Sequence, residues 1–531
     1  MLGPTEAVGS RTDGSTQRNG RTQPGRLMAV RTLPRPLLAA LLALAALTVP
    51  VLASVEATAK APVAPPVHHP NVLLIVTDDQ RWDTLWSMPI VQRELVDRGI
   101  TFSNAFVSNP LCCPSRASIL TGNYSHTTDV YRQTPPFGAF ESFQDSSTLA
   151  TWLHDSGYET GLFGKYIDAY QHAARIGYVP PGWDRWVAFV HSGYYDYGLT
   201  VDGRFETHAE DPGTDYSTSV LGTAAASFIG TAPPDRPLFV EFAPAAPHDP
   251  AVAAPEHETD FRDLPPSRPP SYEEADVSDK PAYVRSLAPL SPEWRNWIDG
   301  LRRRQYQTLQ SVDEQVGAML DALEETGRLD DTLIVFTSDN GLLWGEHRWM
   351  RKEVPYDEAL RVPLVIRDDA LPTPERSDDH LALNIDLAPT IAELASVPHP
   401  ATDGRSLVPL LRDPSAAWRS DFLIEHMQGA NPVPSYCGVR TETEKLVRYE
   451  TGERELYDLA DDRFELDNLA NDPGHAADVQ RLSARLDELC DPPPPGMDDA
   501  TSTPAAAVVV GFSGVLGIAG LWMSRRRTSS G

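Results

Sequence analysis

Asp78-Asp79 directly follows the apolar run Asn71–Thr77 (NVLLIVT), and Asp339-Asn340 follows a second such run at 332–337. Three carboxylates and an amide offer only oxygen ligands, a donor set that suits a hard cation such as Ca2+ and argues against zinc. Two more runs, 158–163 and 238–242, lead into Lys165 and His248. Each has the continuous apolar character of a strand buried on both faces of a parallel sheet. In such sheets functional groups gather where strands deliver their C-terminal ends. Four strands would therefore bring Asp78, Asp79, Lys165, His248, Asp339 and Asn340 to one edge. Taken singly, the residues have plainer readings: an aspartate pair can cap a helix, and a lysine is commonly a solvated surface group. The four cysteines, at 112, 113, 437 and 490, are too few for a disulfide framework and lack the paired spacing of a structural zinc site. Any cysteine chemistry must be local.

The scaffold for these residues is a chain of 531 residues, 41% hydrophobic and 8% aromatic, too apolar to be disordered. Its 45 Lys+Arg against 74 Asp+Glu give a net charge of −29, which excludes nucleic acid as a partner because no broad basic face is available to displace counterions. Residues 311–326 place Val312, Val316, Met319, Leu320 and Leu323 on one helical face and close at Gly327. Residues 250–297, rich in proline and acid with no clear period, read as a long surface excursion beside His248. The acidic runs 260–274 and 461–467 read as solvated faces. From Gly404 the pattern changes to short β-like pieces at 422–425, 436–441 and 445–449, then an amphipathic segment at 479–489, which fits a smaller α+β domain.

The two ends carry addressing signals. Residues 37–52 form an Ala/Leu-rich run behind Arg31 and Arg35, as in an export signal. Residues 505–523 are uncharged, and at about 1.5 Å rise per residue they span roughly the 30 Å of a bilayer core. Arg525, Arg526 and Arg527 follow, which leaves the tail in the cytoplasm and the body outside. The expected organisation is an export region at 1–53, a linker at 54–70, a large catalytic domain at 71–403 and a small domain at 404–491. A second linker at 492–504, a membrane helix at 505–523 and a cytoplasmic tail at 524–531 complete it. Secretion is the expected outcome if the tail is processed.

The string Cys112-Cys113-Pro114-Ser115-Arg116, continued by A-S-I-L-T-G to Gly122, resembles the signature of the formylglycine-dependent sulfatases, C-x-P-S-R-x-x-x-L-T-G. The resemblance runs on through T-S-D-N-G, R-V-P-L-V and E-L-Y-D-L-A-D-D. The double cysteine, G-K-Y and P-A-A-P-H look most similar to the N-acetylglucosamine-6-sulfatase group. It implies an α/β fold: an alkaline-phosphatase-like large domain with a mostly parallel sheet flanked by helices, plus a smaller C-terminal α+β domain. It also implies that a formylglycine-generating enzyme oxidises Cys112 to formylglycine. The hydrated aldehyde would join Asp78, Asp79, Asp339 and Asn340 around Ca2+ and attack sulfur. Arg116 would bond that hydrate, with Asp339 as its base. Lys165, His248 and Lys352 would contact the sulfate and the leaving oxygen, and His347 is a further candidate for substrate contact. Many sulfatases place a histidine two residues after the equivalent of Lys165, where this chain has Ile167. His126 is a weak replacement. Cys437 and Cys490 flank the small domain of an exported protein and are a candidate disulfide.

The resulting expectation is a membrane-tethered sulfuric ester hydrolase acting on a sulfated sugar such as glucosamine-6-sulfate or a glycosaminoglycan fragment. At −29 a short saccharide is easier to accept than a long polyanion. Two alternatives remain at this point: a phosphodiesterase or phosphonate monoester hydrolase of the same superfamily, and an inactive membrane-anchored protein that binds sulfated glycans.

Overall fold

The computed structural model describes residues 69–209, 211, 214–371 and 375–497. The export region and the segments 505–523 and 524–531 lie outside the described residues. Among those described, no helix is long and apolar enough to cross a membrane.

Ten strands make the large sheet: β1 (Asn71–Thr77), β2 (Ile100–Phe102), β3 (Glu159–Gly164), β4 (Arg185–His191), β5 (Tyr197–Val201), β6 (Arg204–His208), β7 (Leu238–Ala243), β8 (Thr332–Ser338), β9 (Leu364–Arg367) and β10 (Arg376–Asp378). Their order is β10-β2-β9-β8-β1-β7-β3-β4-β5-β6. The four apolar runs picked out in the sequence are the four adjacent strands β8-β1-β7-β3, and with β4 they form a wholly parallel centre. Antiparallel pairings flank it, β9 against β8 and β2 on one side and the hairpin of β5 and β6 on the other. The sheet is therefore mixed, and "mostly parallel" describes its middle. Along β1, Val72, Leu74 and Val76 join one core while Leu73 and Ile75 join another, which is why the strand reads as apolar without alternation. The first core is closed by helices α1 (Cys112–Thr121), α2 (Leu149–Asp155) and, later in the chain, α5 (Leu387–Leu394). The second is closed by α3 (Ser217–Thr231) and α4 (Pro292–Glu325).

The expected helix at 311–326 is only the second half of α4, which runs for 34 residues. Ser291 caps it, its hydroxyl accepting from Trp294 N–H at 3.3 Å, and Pro292 opens the first turn. The charged stretch Arg302-Arg303-Arg304 masked the apolar period, yet Ile298, Leu301, Tyr306 and Leu309 continue the buried face on either side of it. The excursion 250–297 therefore ends inside a helix. It is also less solvated than its composition suggests: Ser271 and Lys280 are fully buried, and Glu274 pairs with Lys280 at 3.2 Å. Glu465, in the other acidic run, is buried against Lys445. Two members of the expected solvated faces are thus internal ion-pair partners.

The C-terminal part is a four-stranded antiparallel sheet in sequence order: β11 (Asp421–His426), β12 (Tyr436–Thr441), β13 (Glu444–Tyr449) and β14 (Arg454–Asp458). Helix α6 (Ala476–Leu489) covers one face through Val479, Leu482 and Leu486. The other face, with Phe422, Ile424 and Tyr449, packs on Phe106, Trp349 and Tyr356 of the large domain. A disulfide joins Cys437 on β12 to Cys490 at the end of α6, with Cα atoms 6.4 Å apart and a sequence separation of 53. Closing a loop of that length removes about 4 kcal/mol of chain entropy from the unfolded state. Cys490→Ser is therefore expected to lower the thermal midpoint of the small domain, read by a melt under non-reducing conditions. A midpoint unchanged in the variant would show the crosslink to be energetically idle.

Candidate active site

Cys112 is the first residue of α1, whose ten residues are all buried. Leu111 at the N-cap supplies no side-chain acceptor, so the first N–H groups of the helix are free to face an anion. The helix ends at Gly122, which adopts φ 73° and donates its N–H to Ser118 O at 2.8 Å. Asp78 and Asp79 leave the C-terminal end of β1, and Asp339 and Asn340 that of β8. Asp79 holds a left-handed backbone (φ 66°), stabilised by its N–H donating to Asp339 Oδ1 at 3.1 Å. Lys165 follows Gly164, where φ is 132° and any Cβ would overlap the Ala243 carbonyl of the neighbouring strand. Glycine is what allows β3 to approach β7 closely there and hand Lys165 to the cluster.

The side chains interlock. Asp78 Oδ1 lies 3.4 Å from Cys112 Sγ, and Asp78 Oδ2 accepts from Lys165 Nζ at 2.6 Å. Lys352 Nζ lies 2.6 Å from Cys112 Sγ and also bonds Asp79 Oδ1. Arg116 Nε donates to Asp339 Oδ2 at 2.8 Å, one turn along α1 from Cys112. Asn340 Nδ2 donates to Asp79 Oδ1 at 2.7 Å, and His248 Nε2 stands 3.5 Å from Asp79 Oδ2. All these residues are buried except Lys165, which is half-buried, and His248, whose side chain is 39% exposed and forms the open side of the cluster.

Electrostatics explain how six charges coexist inside the protein. Burial pushes the Asp78 carboxyl up, but the Lys165 ammonium, with His248, Arg116 and Lys352 behind it, outweighs burial and holds it well below the usual carboxylate range. Burial pulls Lys352 down, and Asp79, Cys112 and Asp78 more than reverse that, so its ammonium persists. Burial, then Asp78, drive the Cys112 thiol well above its ordinary value. An unmodified Cys112 is thus a protonated thiol and a poor nucleophile.

The donor chemistry fits a hard divalent cation. One ligand atom from each of Asp78, Asp79, Cys112 and His248 falls within 4.8 Å of the others. Asn340 Oδ1 is buried beside them with no hydrogen-bond partner, and that orphaned oxygen is what a cation would satisfy. Eight of the residues expected at the site, Asp78, Asp79, Cys112, Arg116, Lys165, Asp339, Asn340 and Lys352, are in mutual contact, and His248 borders them. His347 is not brought there. It is fully buried, stacked on Tyr356 at 3.9 Å between centroids and bonded through Nδ1 to Glu274 at 2.7 Å; burial holds it neutral, with a pKa lowered to about 3. It braces the loop instead of meeting substrate. His126 is likewise engaged elsewhere, with Glu425 at 3.1 Å. Sequence reasoning missed Glu241 on β7, a buried carboxyl near Arg116 that burial raises to about 7 and whose Oε2 has no partner. The signal was available: it is the single charge inside the apolar run LFVEFA.

Comparison with known proteins accords with this geometry. Residues 70–397 match the family model described as Sulfatase, and residues 345–491 match the one described as N-sulphoglucosamine sulphohydrolase, C-terminal. The chain is 34% identical over 370 residues to the extracellular sulfatase SULF-1 homolog of Drosophila melanogaster, which covers 67% of this chain but only 33% of that protein. It is 34% identical over 391 residues to human N-acetylglucosamine-6-sulfatase, covering 71% of this chain and 70% of the human protein. A solved structure described as a complex with its substrate D-glucosamine-2-N,6-O-disulfate superposes with a TM-score of 0.69 at 24% identity, covering 81% of this chain and 98% of that one, and attests the fold. With a family match across the whole large domain and a relative matched over most of its length, the chain belongs to the sulfatase family of enzymes.

Proposed function

We propose that the protein is an exported sulfuric ester hydrolase that removes sulfate from a sulfated amino sugar such as glucosamine-6-sulfate, using formylglycine made from Cys112 and a bound Ca2+. The observation that carries this reading is the position of Cys112: it opens a buried helix, between the Asp78 carboxylate at 3.4 Å and the Lys352 ammonium at 2.6 Å. The name of the human relative supports the sugar class.

Asp78, Asp79, Asp339 and Asn340 would hold the cation, which supplies charge neutralisation at the non-bridging sulfate oxygens. Lys165 and Lys352 orient those oxygens and stabilise the charge that builds on them. Arg116 is fixed by Asp339 and by Lys165 O at 3.1 Å, so it can hold the residue at position 112 in one rotamer. His248 Nδ1 sits 2.7 Å from the Asp249 carbonyl; donating there leaves Nε2 as the atom that carries a proton to the departing alcohol. The disulfide fits an oxidising compartment and so supports the proposed location of the body outside the cell, anchored by residues 505–523 or released if the tail is processed.

The deciding experiment is the mass of the tryptic peptide 99–116 from protein made alongside a formylglycine-generating enzyme. A loss of about 18 Da against the cysteine form is expected, the difference between a thiol-bearing carbon and an aldehyde. An unmodified cysteine under those conditions overturns the mechanism. The same preparation assayed on aryl sulfate and aryl phosphodiester should favour the sulfate; the reverse preference would make it a phosphodiesterase or phosphonate hydrolase.

Removal of the metal gives an independent expectation. Three buried carboxylates facing three side-chain cations are nearly balanced, and a divalent ion raises the affinity for an anionic ester. Chelation is expected to abolish sulfate release, and added Ca2+ to restore it better than Mg2+, which demands tighter octahedral geometry. Activity that survives exhaustive chelation would remove the cation from the reaction.

A further inference from the structure

The strand ends that assemble the site continue sideways. β8 and β1 deliver Asp339 and Asp78, β3 delivers Lys165, and the next parallel strand, β4, ends at His191. Over the ends of β3 and β4 lies a cavity of about 550 Å³, and Lys165 belongs both to its wall and to the catalytic cluster. That volume accommodates one to two sugar rings. Tyr170 and Phe189 give it apolar ring surface. Asp168 is the carboxylate of its wall, which also carries the Arg175 guanidinium and the His191 imidazole. Lys165 is already paired with Asp78. Arg175 and His191 are exposed, and their side chains have no hydrogen bond or ion pair among the described residues.

An arginine without an acidic partner, beside an imidazole that can donate, is notable on a cavity of a chain of net charge −29, because its acidic residues outnumber its basic ones. They give this opening anion-binding groups in a molecule whose overall sign is negative. A planar guanidinium forks naturally onto sulfate or carboxylate.

We infer that this cavity is a saccharide subsite in which Arg175 and His191 pair with a second anionic group, a sulfate or a uronate carboxylate, on the sugar that carries the scissile ester or on its neighbour. The inference rests on the sulfatase reading above and adds to it the requirement for a dianionic, one- or two-ring substrate. Long polyanions are disfavoured by the surrounding negative field, whereas a short dianion engages the catalytic cluster and the Arg175 side at once.

The test uses the fully matured chain and three substrates: glucosamine-6-sulfate, glucosamine-2-N,6-O-disulfate, and a disaccharide of 6-sulfated glucosamine with a uronate. Wild type is expected to prefer at least one dianionic substrate by about 10-fold in kcat/KM, carried by KM; a factor of that size corresponds to a single well-placed charge pair. Which dianion is preferred identifies the source of the second charge. Arg175→Ala should shrink that ratio toward one, and Arg175→Glu should invert it. Both changes sit at an exposed position and leave folding intact. A wild-type ratio near one, or a ratio unmoved by both variants, overturns the inference while leaving the sulfatase reading in place. Failure of wild type to release sulfate from all three sugars strikes that reading itself and takes the subsite with it.

Discussion

Cys112→Ala should release no measurable sulfate, a loss of about 10⁵-fold or more, because it removes the group that the proposed mechanism makes the nucleophile. The neighbouring cysteine provides the internal control. Consecutive residues on a helix point about 100° apart, and here the consequence is complete: Cys112 Sγ faces Asp78 and Lys352, while Cys113 packs in the apolar core with Ala117 and Leu120. Cys113→Ala should therefore keep both the mass change in peptide 99–116 and the activity, at the cost of a small cavity. If the two variants behaved alike, the assignment of the chemistry to position 112 would fail. The same pair separates the enzyme from an inactive glycan-binding protein. A binding protein releases no sulfate as wild type, so a difference in turnover between wild type and Cys112→Ala excludes it.

The candidate site was legible in the sequence partly from where its residues sit relative to the strands and partly from the family resemblance, which supplied Cys112, Arg116 and Lys352. Asp78, Asp79, Asp339 and Asn340 end continuous apolar runs, Lys165 and His248 lie just beyond two others, and a parallel sheet fixes the direction in which all four ends point. What the sequence hid lies where contacts rather than periodicity decide position. His347 was a candidate for substrate contact through the resemblance, but a histidine is a ring as well as a base, and here its ring stacks on Tyr356 inside the protein. The edge strand β10 and its neighbour β2, three residues each, carry too few positions to show a pattern. Helix α4 was truncated because its solvent face is arginine-rich while its buried face includes Gln305, Gln307 and Thr308, so polarity alone masked burial. Glu274, Lys280 and Glu465 became internal by pairing, which composition does not record.

The second large effect is expected for Lys352→Ala: a fall in kcat of about 10²–10³-fold, the cost of deleting one preorganised charge at the reacting oxygens. The formylglycine mass change in peptide 99–116 should survive it, which separates lost chemistry from lost maturation. The protein's investment in placing this one ammonium makes the argument. Around it, His347, Arg348, Arg351 and Glu353 all hold left-handed backbones (φ 50°, 58°, 86° and 76°), each costing about 1 kcal/mol or more for a residue with a Cβ. A loop so shaped persists only if it is tied down, and both domains tie it. Trp349 Nε1 donates to Lys352 O at 3.1 Å and Glu353 N–H to Pro110 O at 3.1 Å, next to the start of α1. From the small domain, Tyr436 OH donates to Glu353 O at 3.0 Å, Asn431 Nδ2 to Glu353 Oε1 at 2.6 Å, and Lys445 Nζ to Pro355 O at 2.6 Å. Tyr356 OH is held at 2.8 Å by Glu455, a buried carboxylate that also accepts from Tyr449 and Tyr457. The small domain thus acts on the chemistry at a distance, by fixing the backbone on the C-terminal side of Lys352. Lys352→Arg should recover little, since a longer planar fork cannot occupy the space between Cys112 Sγ and Asp79 that a compact ammonium fills. A kcat lowered less than tenfold in Lys352→Ala would mean that the strained loop serves packing alone, and that Lys165 and the cation carry the sulfate without it.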